Sequence, residues 1–231
     1  RLLDFDFGAS QDLQSALDSL ILQAEVKPKG IILDLQGNPG GLFSEAHKTA
    51  NLFLDEGHLI VADAEKKGFR INAVWLTHAH FDHMGGVGEL ITELGYDLPV
   101  ALHSDDMPLW RAQGGAPFFG MQINPGPMPS IALNEGEILS VGSYQFEIRH
   151  APGHTPGHVI FYCPSEAVLF CGDVIFQFSI GRTDLPGGDY NTLIQSIQLK
   201  ILTLPDNTRL LPGHGPETSV GVERVNNPFI N

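Results

Sequence analysis

Residues 77–83 read Thr77-His-Ala-His-Phe-Asp-His83 and follow the apolar run Ala73-Val-Trp-Leu76. A short apolar run that ends at a polar loop predicts a buried strand. His78, His80, Asp82 and His83 therefore leave the end of one strand almost together. Three imidazoles and a carboxylate so close are expensive to bury unpaired and well suited to a metal ion.

Three later stretches repeat the design of a strand followed by a sharply folded loop. They are His150-Ala-Pro-Gly-His154-Thr-Pro-Gly-His158, Phe170-Cys-Gly-Asp173 and Leu211-Pro-Gly-His214-Gly-Pro216. Glycine or proline flanks a ligand-type residue in each. The four loops together offer His78, His80, His83, His154 and His214 with Asp82 and Asp173. That set suffices for two metals sharing a bridging carboxylate. Nitrogen and oxygen donors of this kind leave positions open to water, unlike closed cysteine sites.

These separated motifs, in this order, resemble the metallo-β-lactamase superfamily. Residues 62–231 are similar to its short glyoxalase II-like (hydroxyacylglutathione hydrolase-like) members. Gly181-Arg-Thr-Asp-Leu-Pro-Gly-Gly-Asp189 and Glu223-Arg-Val-Asn-Asn-Pro-Phe229 carry that closer likeness. The resemblance implies an α/β fold, a four-layer αββα sandwich of two mixed sheets between helices, with metals at one edge. It implies a first metal on His78, His80 and His154, and a second on Asp82, His83 and His214. Asp173 would bridge them, and Asp82 and Asp173 are the carboxylates expected to serve catalysis. The expected cofactors are two divalent ions, zinc first, with iron or manganese compatible with the same donors. The implied reaction is attack of a metal-bridging hydroxide on a thioester such as S-lactoylglutathione. One rival is an iron-dependent persulfide dioxygenase of the same superfamily. The other is a binding module or fusion without activity. Metal content, oxygen consumption and thioester hydrolysis separate the three.

The remaining candidates divide on local grounds. His150 and His158 flank the third loop and are expected to hydrogen-bond the ligand residues. His47 and His58 read as surface residues and His103 as a structural or capping residue. Arg182 pairs with Asp184 or, by resemblance, contacts a substrate carboxylate. Cys171 reads as a small packing residue.

The first quarter of the chain is atypical of that superfamily, and residues 1–60 are expected to form an atypical α/β segment, either a fusion or a substitute completing the first sheet, before a hydrolase domain at 61–231. Gly30-Ile-Ile-Leu-Asp-Leu-Gln-Gly-Asn-Pro-Gly-Gly-Leu42 and the helix that follows resemble the core of carboxy-terminal processing serine peptidases. No peptidase activity is implied, because the later serine and lysine of that family have no match. Ser44 then reads as a helix N-terminal residue. Asp34 is not followed by the Pro-Gly expected of a metallo-β-lactamase start.

Period and turn chemistry supply the rest. A strand is expected at 2–7 and a helix from Ser10, its N-cap, to Ala24. A strand is expected at 31–35, and Phe43–Leu54 reads as a helix. After the histidine loop come a helix on Val87, Leu90, Ile91 and Leu94, and a strand at 99–102. Residues 104–130 read as a short helix and a long surface loop. Hairpins are expected at 138–149 and 158–171, then a helix on Leu193, Ile197 and Ile201 and a strand at 209–211.

The chain has 231 residues, a hydrophobic content of 42% and a formal net charge of -14. A core can form, and a phosphate backbone would be repelled, so nucleic acid is not an expected partner. Two cysteines cannot build a disulfide scaffold and fit a reducing, cytoplasmic setting. No apolar run reaches the length of a membrane span.

Overall fold

Val159-Ile-Phe-Tyr-Cys163 is buried at every position, as a strand covered on both faces must be. Ile160 and Tyr162 pack into one apolar cluster, Val159 and Phe161 into another. The period of two along a strand sends alternate residues to opposite sides. The computed structural model describes residues 8–23 and 70–230. The chain divides into two compact units, residues 1–71 and 72–231.

In the first unit α1 spans Ala9–Gln23. It opens two residues earlier than a Ser10 N-cap requires, so Ser10 lies inside the first turn. The expected strands at 2–7 and 31–35, the turn at 37–41, the helix from Phe43, and Ser44, His47 and His58 lie outside the described residues.

In the second unit β1 (Val74–Trp75), β2 (Val100–Leu102) and β3 (Ile131–Ala132) form a sheet in the order β1-β2-β3. All its described pairings are parallel, where a mixed sheet was expected. Between β1 and β2 run α2 (Phe81–Met84) and α3 (Val87–Leu94), and after β2 comes α4 (Met107–Arg111). Gly95 closes α3 in the left-handed conformation, the usual way to end a helix.

The larger sheet contains β4 (Ile138–Val141), β5 (Tyr144–His150), β6 (Val159–Cys163), β7 (Val168–Gly172), β10 (Arg209–Pro212) and β11 (Thr218–Ser219). Its order is β11-β10-β7-β6-β5-β4. The small hairpin β8 (Ile175–Phe176) and β9 (Ser179–Ile180) follows β7. Helix α5 (Tyr190–Ser196) widens into a π turn at Ile197–Ile201, and α6 covers Val220–Asn226. Asp189 caps α5, accepting from the Thr192 N–H at 2.7 Å, and Ser219 caps α6.

Three apolar clusters mark three layer interfaces. Leu76, Met84, Val87, Val100, Leu102 and Trp110 lie between the first sheet and its helices. Ala101, Leu133, Ile148, Val159 and Phe161 lie between the sheets. Ile160, Leu169, Leu193, Ile197, Ile201 and Leu210 lie between the second sheet and α5. The architecture is the αββα sandwich. Cys163 and Cys171 are both free and buried. No helix among the described residues is long and apolar enough to cross a membrane.

Strand direction places the loops. β5 and β6 are antiparallel, as are β6 and β7, while β7 and β10 are parallel. So β5, β7 and β10 run the same way, and their carboxyl ends share one sheet edge. Side chains leaving the carboxyl ends of strands are where open α/β sheets place their sites.

Candidate metal centre

The loop after β1 carries His78, His80, Asp82 and His83, with α2 beginning at Phe81. The loop after β5 carries His154, that after β7 Asp173 and that after β10 His214. Val159 donates to the Thr77 carbonyl at 2.8 Å, which ties the loop after β1 to the start of β6.

All seven expected ligands come together. His80 Nδ1 and His154 Nε2 are 2.8 Å apart, and donor atoms of His78, His80 and His154 lie within 4.8 Å of one another. Those of Asp82, His83 and His214 meet the same limit, as do those of His78, His83 and Asp173. His214 Nε2 is 3.0 Å from Asp82 Oδ2. Asp173 lies between the trios: its Oδ1 is 3.3 Å from His83 Nε2, and its Oδ2 is 3.7 Å from His154 Nε2 and 3.6 Å from His214 Nε2. His78, His80, His154 and Asp173 are buried, whereas the His214 side chain is 55% exposed. The cluster is therefore open to solvent on the His214 side.

The donors suit a metal. His78 Nε2, His83 Nε2 and Asp173 Oδ1 are buried without a hydrogen-bond partner; the 3.3 Å approach of the last two is too poorly aligned to count as one. Buried polar atoms left unpaired are rare and call for an explanation. Outer contacts aim the rings. His154 Nδ1 donates to the Arg182 carbonyl at 2.7 Å, which puts the ring's lone pair on Nε2, facing His80 Nδ1. Thr77 Oγ1 meets His78 Nδ1 at 3.1 Å. Such contacts select the tautomer a metal requires.

Electrostatics keep the rings neutral. Burial first, and then the neighbouring imidazoles, push His78 far below the usual histidine range. Burial and His154 lower His80 to about 4, and burial lowers His154 against the pull of Asp173. Burial raises the Asp82 carboxyl, but the His214 hydrogen bond and nearby His83 outweigh it and hold it at about 2. His214 is raised by that same bond.

His158 meets the expectation of a supporting residue. Its Nε2 accepts from the Asp173 N–H at 3.0 Å. A Cβ on Gly172 (φ 47°) would fall 2.7 Å from that ring, so glycine lets the ring approach. His150 donates from Nε2 to the Pro156 carbonyl at 2.8 Å, within the third loop rather than to a ligand. His103 caps the turn at Ser104–Asp106, accepting from the Asp105 N–H. Arg182 forms a bidentate pair with Asp184, at 2.8 and 2.7 Å, in an exposed position. Cys171 is buried and burial raises its thiol, so it packs as expected.

One further trio, His103, Asp105 and His150, has donor atoms close enough to suggest a metal. Its two rings are stacked at 4.1 Å and 11° from parallel. Their in-plane lone pairs run alongside each other and do not converge, so the trio is a packing contact.

Residues 104–130 are not simply surface. Asp106 is fully buried and accepts from the Ala79 N–H, the Thr155 hydroxyl and the Gly157 N–H at 3.0, 2.8 and 2.7 Å. In the sequence Ser104-Asp-Asp106 looks like a solvated acidic turn, and nothing local marks Asp106. Thr77 and Thr155 were also missed.

A family model described as Metallo-beta-lactamase superfamily matches residues 45–214. The match begins inside the stretch read as peptidase-like. The "Probable metallo-hydrolase YqgX" of Bacillus subtilis is 42% identical over 180 residues, 76% of this chain and 83% of that one. "Hydroxyacylglutathione hydrolase GloC" of Haemophilus influenzae is 39% identical over 177 residues, 76% and 84% of the two chains. The crystal structure of TTHA1623 in a di-iron-bound form is similar at a TM-score of 0.68 and 43% identity, covering 76% of this chain and 85% of that one. On this match, and on the histidine–aspartate cluster it spans, the chain belongs to the metallo-beta-lactamase superfamily and is a metal-dependent hydrolase of it.

Proposed function

We propose that the chain hydrolyses a thioester. In this reading His78, His80 and His154 would hold one divalent metal, Asp82, His83 and His214 would hold a second, and Asp173 would be shared between them. The observation that carries it is the position of Asp173, one oxygen toward His83 and the other toward His154 and His214. Metals held there supply Lewis acidity at an acyl carbonyl and make water nucleophilic near neutral pH.

The side chains account for the rest. His158 fixes the Asp173 backbone and the Arg182 carbonyl fixes the His154 ring. The buried trio excludes water on one side, and the exposed His214 leaves the other side open for substrate. The Asp82 carboxyl, at about 2, is ionised and donates no proton. A thiolate leaves without one, which favours a thioester over an amide. Arg182, exposed and paired with Asp184, is the proposed contact for a substrate carboxylate, which would compete with Asp184 for its guanidinium. A small-molecule thioester is the proposed partner, with S-lactoylglutathione the first to test because a hydroxyacylglutathione hydrolase is among the relatives. A complete second trio favours two metals and hydrolysis over a single-iron dioxygenase.

The test is S-lactoylglutathione hydrolysis before chelation, after it, and after zinc, iron or manganese is restored. Activity should vanish with the metal and return with one of the three. A rate untouched by complete metal removal would overturn the reading.

A further inference from the structure

The turn that follows β2 supplies no expected ligand, yet it touches two of the four loops that do. β1 and β2 are parallel neighbours, so the turn at 103–106 emerges beside the loop at 77–83. Asp106 ends that turn with its side chain wholly buried. Its Oδ2 accepts the N–H of Ala79, the residue between ligands His78 and His80. The same oxygen accepts the hydroxyl of Thr155, next to ligand His154. Its Oδ1 accepts the N–H of Gly157. One carboxylate thus joins the two loops that supply the first trio, His78, His80 and His154.

Two independent features show that the contact is built in. A Cβ on Gly157 would lie 2.8 Å from Asp106 Oδ1 and 2.9 Å from its Cβ, so only glycine admits the carboxylate. On the other side of the turn His103 stacks on His150, whose Nε2 is bonded to the Pro156 carbonyl. The turn therefore grips the 150–158 loop at two points. The second trio has no such link: among the described residues Asp106 and Thr155 bond to the first trio's loops, and Asp82, His83 and His214 make no hydrogen bond to either.

We propose that Asp106 is a positioning residue that sets the spacing of His78, His80 and His154 and so tunes one metal position selectively. It touches neither substrate nor reacting atoms. A carboxylate suits the task because it accepts three hydrogen bonds at once, all from donors that face it. Asparagine has the same shape but turns an amide N–H toward donors. The inference rests on the two-metal reading, and the test keeps their failures apart.

The experiment titrates Zn²⁺ out of the intact protein with a graded competing chelator, reading bound metal per chain and the thermal midpoint at each step. Wild type should release zinc in two steps; no bound zinc in wild type would sink the metal reading itself. Asp106→Asn should weaken one step by roughly 10- to 100-fold, the range for residues behind metal ligands, and leave the other unchanged. Thr155→Val removes one donor and keeps the carboxylate, so it should weaken the same step less, and it serves if Asp106→Asn does not fold. A purely structural role for Asp106 would weaken both steps together. Either that result, or two wild-type steps in both variants, would overturn the proposal.

Discussion

The imidazoles of His78 and His158 are stacked, 4.7 Å between centroids and 19° from parallel, and both are fully buried. Burial first, and then the surrounding imidazoles, push both rings far below the usual histidine range. Two such rings in contact cannot both take up protons without breaking the packing, so the neutral pair belongs to the folded state.

Acid should therefore destabilise the metal-free protein well above the carboxylate range. His80 falls from 6.5 to about 4 on folding. Between those values the unfolded chain binds a proton that the folded chain does not, so stability drops as pH falls through that window. For His80 alone the loss is ~3 kcal/mol at most, and His78 and His158 act in the same direction. His214 is raised and acts the opposite way, losing its contribution as pH rises; its side chain is half exposed, which shrinks that effect. Urea midpoints of metal-free protein at about pH 7 and about pH 5 should show the drop, and His80→Gln should reduce it. Equal midpoints for the parent protein would refute the assignment.

His158→Leu should damage the site without touching a ligand. It leaves the buried Asp173 N–H without its acceptor, at a cost of about 1–3 kcal/mol. Because Asp173 loses its anchor, metal affinity should fall by roughly 10- to 100-fold. His158→Gln keeps an acceptor and should recover part of both. Chelator competition and thermal midpoints measure the two effects. Unchanged metal affinity in His158→Leu would show that the ring is only packing.

Phe178→Gly should stabilise the protein. Phe178 holds φ at 57° in the turn between β8 and β9, a conformation an L side chain adopts at a cost. Its ring is 47% exposed, so little burial is lost with it. The strained turn is held by Glu223, a fully buried carboxylate that accepts from the Phe178 N–H at 2.9 Å, the Thr218 hydroxyl at 2.6 Å and the Asn227 amide at 2.8 Å. Glycine should raise stability by about 1 kcal/mol, whereas Phe178→Ala keeps the strain and should not. Denaturant midpoints decide it. A gain in the alanine variant equal to that in glycine would move the cause from backbone to side chain.

Much of the larger sheet was legible because its signals are local. The hairpins at 138–149 and 158–171 have apolar runs separated by turn residues, and the strands form within a residue of the expected bounds. The helix on Leu193, Ile197 and Ile201 shows its period in the letters, although not its widening into a π turn. Ser10 misled, because a good capping residue also fits inside a first turn. Asp106 was invisible because an acid beside another acid locally resembles a solvated surface, while its partners Ala79, Thr155 and Gly157 are distant in the chain. Glu223 was legible only as part of a family-like stretch, and nothing local marks its bond to Phe178.

The amino-acid order by itself determined which side chains could bind a cation and that each would leave a strand through a tight glycine or proline loop. Those are properties of residue type and of a few neighbours. Only the tertiary structure decided that the loops meet. β5, β7 and β10 run in one direction because β6 lies antiparallel between two of them with both faces buried, and that arrangement depends on apolar contacts far apart in the chain. The same long-range packing carried a buried carboxylate from a third strand to the seam between two of the loops.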